Sequence, residues 1–317
     1  MENHFDVIVI GGGAAGLTAG IYLSRAKVST LILNEGTVGG QMVLTHEIAN
    51  YPGIESISGY ELSRNMKTQA LKFGCNIKSN LKITSLDIAG ETKYVEVNNK
   101  DTYSADAVII ATGGKSRTIG APGEDKFKGK GISYCATCDG DFFQDKEIIV
   151  VGGGNSALEE AVSLTKYASK VTIVHQFDHF QAFEHYVDEA KNNPKISFIM
   201  ESEITEFAGE DKLEAVKISN KKTGDISEMK IDGVFIFIGY VPNTESLDGL
   251  IELNQWKEII VDKNMKTNVN GVYAAGDSIQ KRFRQVTTAV ADGTIAALSS
   301  AEYVMNNKKE RLHEEVV

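Results

Sequence analysis

The sequence predicts an α/β fold of two Rossmann-like dinucleotide-binding domains, the second inserted into the first. Three observations carry this. The apolar run Phe5 to Ile10 leads into Gly11, Gly13 and Gly16, spaced G-x-G-x-x-G. A second run, Glu147 to Val151, leads into Gly152, Gly154 and Ala157, spaced G-x-G-x-x-A. Each unit also closes alike: Ile109 to Gly114 and Val234 to Gly239 are apolar strands ending in glycine, followed shortly by Pro122 and Pro242.

The first run is short and β-branched, as a strand buried on both faces should be. An Ala/Leu helix follows the glycines, and Ser29 to Leu33 supplies the second strand of a βαβ unit. In such a unit the first glycine permits a tight turn and the second lets backbone approach a pyrophosphate. The third lets helix pack on strand, and the pyrophosphate sits over the helix N-terminus. The second unit repeats the plan with a helix over Ser156 to Tyr167 and a strand over Lys170 to Val174. The joints place one domain at 1–117 and 246–317 and the insert at 118–245. The charged tail from Asn306 is expected to fray.

At 317 residues both domains can bury a core. A hydrophobic share of 42% and a charged share of 24% are those of an ordinary globular chain. The formal charge of -10 opposes nucleic acid and anionic membrane surfaces as partners. Val7 to Leu23 is uncharged, but acidic Glu2 and Asp6 precede it and glycines interrupt it, unlike a signal or membrane segment. Three cysteines are too few for a disulfide scaffold, and Cys135-Ala136-Thr137-Cys138 has C-x-x-C spacing. Beside nucleotide-binding patterns that spacing reads as redox chemistry in a reducing, cytoplasmic setting. The competing reading, half of a zinc site, lacks a second cysteine pair and a nearby histidine; no metal is expected. Cys75 reads as a buried thiol.

The chain resembles the low-molecular-weight thioredoxin reductases over nearly its whole length. The motifs are GGGAAGLTA, GGQM at Gly39 to Met42, NYPG at Asn50 to Gly53, IIATGG, YCATCDG, GGGNSALEEA, YAAGD at Tyr273 to Asp277 and RQVTTAVADG at Arg284 to Gly293. The resemblance implies a homodimeric FAD enzyme that reduces thioredoxin, with the dithiol in the insert. It implies FAD contacts at Gly11, Gly13, Gly16, Gly40, Gln41, Asn50, Asp277, Arg284, Gln285 and Ala289. Asp277 also has a chemical reason, since a carboxylate after a strand and a glycine, just before a helix, suits a ribityl hydroxyl. The acid often found on the adenosine ribose is here Asn34, with Glu35 beside it as the candidate. The resemblance assigns Cys138 to face the flavin, Cys135 to attack the substrate disulfide, and Asp139 to move the proton. A helix start beneath the dithiol would favour the thiolate.

The pattern breaks at one place. NADPH-using relatives carry an arginine-rich stretch resembling HRRxxFRA, whose guanidiniums grip the 2'-phosphate. Here the segment is HQFDHFQA, His175 to Ala182, with no arginine and with Asp178 in it. Two or three lost contacts of ~1.5–3 kcal/mol each would weaken NADPH binding by several orders of magnitude. An NADH ribose would want a carboxylate where His175 stands. Ferredoxin-dependent flavin thioredoxin reductases share this loss, so reduced ferredoxin is the expected donor. The alternatives are NAD(P)H, a dithiol oxidase running the chemistry in reverse, and a flavin redox sensor without turnover. Lys281, Arg282 and Arg284, and Lys126, Lys128 and Lys130, are candidate basic patches for an acidic partner.

Overall fold

In the computed structural model, which describes residues 3–45 and 47–314, the first apolar run is β1 (His4–Ile10). Its side chains alternate between two cores: Val7 and Val9 enter one hydrophobic cluster, Ile8 and Ile10 the other. A strand covered on both faces needs no polar alternation, hence the continuous apolar run. α1 (Ala14–Arg25) is buried apart from Tyr22 and Arg25, and β2 (Thr30–Asn34) pairs parallel with β1. The uncharged stretch Val7 to Leu23 is thus shared between a strand and a helix. Among the described residues no helix is long and apolar enough to cross a membrane.

α2 (Gly59–Lys72) starts on Ser58, whose hydroxyl accepts the Glu61 amide at 3.1 Å. β3 (Asn76–Ser79) joins β2, and β4 (Ile83–Asp87) and β5 (Lys93–Val97) form a hairpin leading to β6 (Asp101–Ile110). The start of β6 pairs antiparallel with β5, while Ser104 to Ile110 pair parallel with β1. β7 (Gly114–Ser116) then carries the chain into a second compact unit.

That unit opens with α3 (Glu124–Phe127), β8 (Ile132–Ser133) and α4 (Ala136–Asp139). β9 (Glu147–Val151), α5 (Asn155–Leu164), β10 (Lys170–Val174), α6 (Glu184–Lys191) and β11 (Ile196–Ile199) come next. An antiparallel sheet of β12 (Ser202–Ala208), β13 (Ala215–Asn220) and β14 (Ile226–Lys230) precedes β15 (Gly233–Ile236) and β16 (Tyr240–Pro242). The parallel sheet runs β11-β10-β9-β15-β8. Ile148 and Val150 pack with the helices, Ile149 and Val151 with the antiparallel sheet.

Back in the first unit, β17 (Val272–Ala274) pairs with the end of β6, and α7 (Val286–Glu314) packs on α1. The strand order β3-β2-β1-β6 changes direction between β1 and β6, the crevice where α/β sheets take ligands. The units are 1–115 with 241–317, and 116–240. The return falls at Val241 because the next residues bond into the first unit, the Asn243 amide donating to Gly113 O at 2.9 Å. The tail does not fray at Asn306: α7 continues to Glu314, and Lys308 pairs with Asp6 at 2.6 Å.

Candidate active site

At the end of β1 the chain turns at Gly11, whose φ of +107° only glycine adopts without strain. A Cβ on Gly16 would lie 1.9 Å from Gly11 O, so helix and strand meet there through bare backbone. Gly39 N donates to Gly12 O at 2.7 Å, setting Gly40 and Gln41 beside the turn. A Cβ on Gly13 would meet only Gly40 Cα, at 3.9 Å, which leaves the face open to a pyrophosphate. Gly276 abuts Ala15 and buried Ala289, so the Asp277 turn lies at the start of α1 too. Asn50 Nδ2 donates to Gln285 Oε1 at 3.3 Å. Glu35 stands apart at the end of β2, one carboxylate oxygen accepting the Ile83 amide at 2.8 Å. Asn34 is spent on the turn: its Oδ1 accepts Gly12 N at 2.8 Å and its Nδ2 donates to Gly36 O at 2.9 Å.

Asp277 does not sit just before a helix, as the sequence suggests. It lies in the short 3-10 turn Gly276–Ser278, and α7 begins only at Val286. Burial pushes its carboxyl above the usual range, against Lys281 and Arg284, which pull it down, while Asp292 adds to the rise. Its Oδ1 and the Oγ1 of Thr112, at the end of β6, are buried with no hydrogen-bond partner. Two orphaned polar atoms beside an open glycine turn fit a cofactor carrying hydroxyls and a pyrophosphate. Thr112 is a residue that sequence reasoning passes over. Its signal is faint, a threonine between a strand end and two glycines.

In the second unit Cys135 and Cys138 form a disulfide with Cα atoms 5.3 Å apart. Cys135 is the N-cap of α4, and its Sγ accepts the Cys138 amide at 3.2 Å. α4 is a single turn, so this one amide, and not an extended helix dipole, is what favours negative charge on Cys135. Asp139 Oδ2 accepts a hydrogen bond from Ser133 Oγ at 2.6 Å, and the same Oγ accepts the Cys135 amide at 3.1 Å. Burial raises the Asp139 carboxyl above the usual range; Ser133 opposes the rise and Asp141 reinforces it. Ser133 is buried and invisible to motif reading, because β8 brings it under the dithiol only once folded. The pieces suit thiol–disulfide exchange with a proton held beside the inner cysteine.

The second glycine turn keeps its shape, with Gly152 at φ +140°. The segment after β10 lies along it, Gln181 N donating to Gly153 O at 2.8 Å. His175 is buried, its ring against Gly153 and near-parallel to Phe180. Gln176, Phe177 and Gln181 are exposed, and Asp178 pairs with His179 at 2.6 Å. His179 does most to lower the Asp178 carboxyl; Lys222, which adds a smaller pull, pairs with Glu201 at 3.5 Å. The segment itself presents no arginine or lysine to a 2'-phosphate. Of the basic residues, Lys126, Lys128 and Lys130 are exposed as a docking patch requires. Lys281 and Arg284 are not: they turn inward to Asp292 and Glu258, because part-buried carboxylates claim them first.

The family profile described as pyridine nucleotide-disulphide oxidoreductase matches residues 5–293. Thioredoxin reductase from Peptoclostridium acidaminophilum is 46% identical over 317 residues, 98% of this chain and 100% of that one. A 34.2 kDa protein in a rubredoxin operon of Clostridium pasteurianum is 46% identical over 303 residues, 96% of this chain and 98% of that one. The crystal structure of thioredoxin reductase from Streptococcus pyogenes matches at a TM-score of 0.93 and 41% identity, covering 96% of this chain and 100% of that one.

Proposed function

This chain belongs to the thioredoxin reductases of the pyridine nucleotide-disulphide oxidoreductase family, FAD-binding enzymes, and we propose that it draws its electrons from reduced ferredoxin instead of NADPH. It works as a cytoplasmic homodimer that reduces a thioredoxin-type disulfide through Cys135 and Cys138. The observation that carries the donor assignment is the HQFDHFQA segment, which lies on an intact glycine turn yet offers a 2'-phosphate no arginine or lysine. The name of the Clostridium pasteurianum relative sets that protein in a rubredoxin operon. Exposed Lys126, Lys128 and Lys130 offer an acidic donor a basic surface.

Gly11, Gly13, Gly16, Gly40, Gln41, Asn50, Asp277, Gln285 and Ala289 would hold the cofactor, with Arg284 bracing the Asp277 turn and the free oxygen of Glu35 toward the ribose. When bound, FAD supplies the two electrons that open the Cys135–Cys138 disulfide, and it can be filled one electron at a time. The chain does the rest. The Cys135 thiolate, favoured by the Cys138 amide, attacks the substrate disulfide; one substrate sulfur leaves as a thiol with the proton held by Asp139, and the other stays bonded to Cys135. Cys138 then attacks Cys135 Sγ, giving its proton to the Asp139 carboxylate, and the second substrate sulfur departs as a thiolate that takes a proton from solvent as the protein disulfide re-forms.

The test is an anaerobic titration of the oxidised protein with NADPH, NADH and chemically reduced ferredoxin, tracking flavin bleaching and thioredoxin thiol release. Ferredoxin should reduce it quickly, less so at high salt as attraction is screened; neither nucleotide should do so at micromolar concentration. Rapid, saturable bleaching by NADPH would return the chain to the nicotinamide users. In the same assay Cys138→Ser should trap a mixed disulfide with thioredoxin through Cys135, and Cys135→Ser should trap none.

A further inference from the structure

The turn that carries Asp277 is fastened by Arg284 and by two side chains, Lys281 and Asp292, that no motif reading assigns to the cofactor. Asp292 stands two turns into α7 with its side chain 14% exposed, and Lys281, between turn and helix, is 11% exposed. Lys281 Nζ lies 2.5 Å from Asp292 Oδ2 and 3.9 Å from Asp277 Oδ1. The same Asp292 oxygen accepts the amide of Gly276 at 3.2 Å. From the other side Arg284 donates through Nε to Asp277 O at 3.4 Å and pairs with Glu258.

Taking an ammonium and a carboxylate largely out of water costs more than an exposed pair returns, so this part-buried pair calls for a reason beyond stability. Charge suggests it. Three carboxylates (Asp277, Asp292, Glu258) share two cations (Lys281, Arg284). Lys281 and Arg284 make their short contacts with Asp292 and Glu258, and Asp277 Oδ1 is left without a hydrogen bond. An acceptor held near cations but not consumed by them is what a ribityl hydroxyl needs.

We propose that Lys281 and Asp292 are positioning residues for FAD, a clamp between α7 and the Gly276–Ser278 turn that holds Asp277 where a cofactor hydroxyl meets it. Asp292 fixes the backbone of the turn through the Gly276 amide. Lys281 keeps the two carboxylates from repelling each other, and so keeps the Asp277 carboxylate charged and in place. The clamp rests on the reading of Asp277 as an FAD contact.

The experiment measures the FAD dissociation constant of the holoprotein by flavin fluorescence on dilution, with thermal melting in the absence and presence of added FAD. The variants are Lys281→Met, Asp292→Asn, their double and Asp277→Asn. Lys281→Met should raise the dissociation constant at least about tenfold, the size of one lost charge-assisted hydrogen bond. Its melting without cofactor should change little. Asp292→Asn keeps an acceptor for Gly276 and should lose less, and the double variant should bind FAD better than Lys281→Met alone, because one of the repelling charges is gone. An unchanged dissociation constant in Lys281→Met, with Asp277→Asn weakened, overturns the clamp and leaves Asp277 standing. A fall in the cofactor-free melting temperature as large as the loss in binding also overturns it, as a role in folding alone. An unchanged constant in Asp277→Asn overturns the Asp277 reading, and the clamp with it.

Discussion

Cys135 and Cys138 are both half-buried, so accessibility does not support the separate roles proposed for them; the Cys138 amide aimed at Cys135 Sγ does. Beside them, Asp139 has a carboxyl that folding raises, first by burial. For such a group the protonated form is the one the fold favours: its contribution to stability is complete below the ordinary carboxylate range and is lost as pH rises through the raised value. Ionised Asp139 is therefore a cost to the fold, and the proposed proton transfer gives that cost a purpose. Asp139→Asn should melt no lower than the parent at neutral pH. Reduction of thioredoxin by the pre-reduced variant should fall about a hundredfold, the scale of a lost general acid or base. Stopped-flow thiol release and calorimetry check both, and a lower melting temperature with unimpaired turnover would refute the assignment. The motif YCATCDG makes three of these four residues legible. Ser133 is not legible, because serine two positions before a cysteine is common and only β8 turns its hydroxyl to Asp139.

At the scale of elements, the two βαβ units share a plan but spend the end of their second strand on different side chains. In the first, β2 ends in Asn34, whose amide side chain is consumed in bracing Gly12. In the second, β10 ends beside His175, whose ring fills the space over Gly153. Both substitutions commit a strand-end side chain to the glycine turn where related folds commit a carboxylate to a ribose. If charge is what the second unit lacks, Gln176→Arg, Phe177→Arg and Gln181→Arg together should tighten NADPH binding by at least about tenfold, since each added forked contact is worth about 1 kcal/mol or more. Isothermal calorimetry measures it. All three positions are exposed, so the variant should fold as the parent does; no gain would mean that the cleft is closed by shape.

At the scale of the molecule, each unit has two cores of its own, one on either face of its larger sheet. The chain leaves the first unit through β7 and returns through β16, and these two strands pair. The ends of the insert are therefore adjacent, so a short Gly/Ser linker in place of 117–239 should close the first unit at little entropic cost. That shortened protein should still bind FAD, and the separate segment 116–240 should unfold cooperatively on its own. Circular dichroism and flavin fluorescence decide, and a shortened protein that is soluble but colourless would show that the cofactor site needs the insert.

The sequence by itself determined the two glycine turns, the dithiol and the missing arginines, because each depends on residue identity at a short, local spacing. Glycine is read from conformations that other residues avoid, C-x-x-C from a small ring, and a phosphate grip from charge. What only the tertiary structure decided is how distant side chains are spent. Lys281 and Arg284 look like surface cations in the sequence, yet α7 and the segment around Glu258 bring part-buried carboxylates to them and turn them inward. The Asp277 turn, the Ser133 hydroxyl and the helical tail held by Asp6 belong to the same class. Their partners lie on other elements, and which buried charge finds which partner is fixed by desolvation and packing, which no local spacing records.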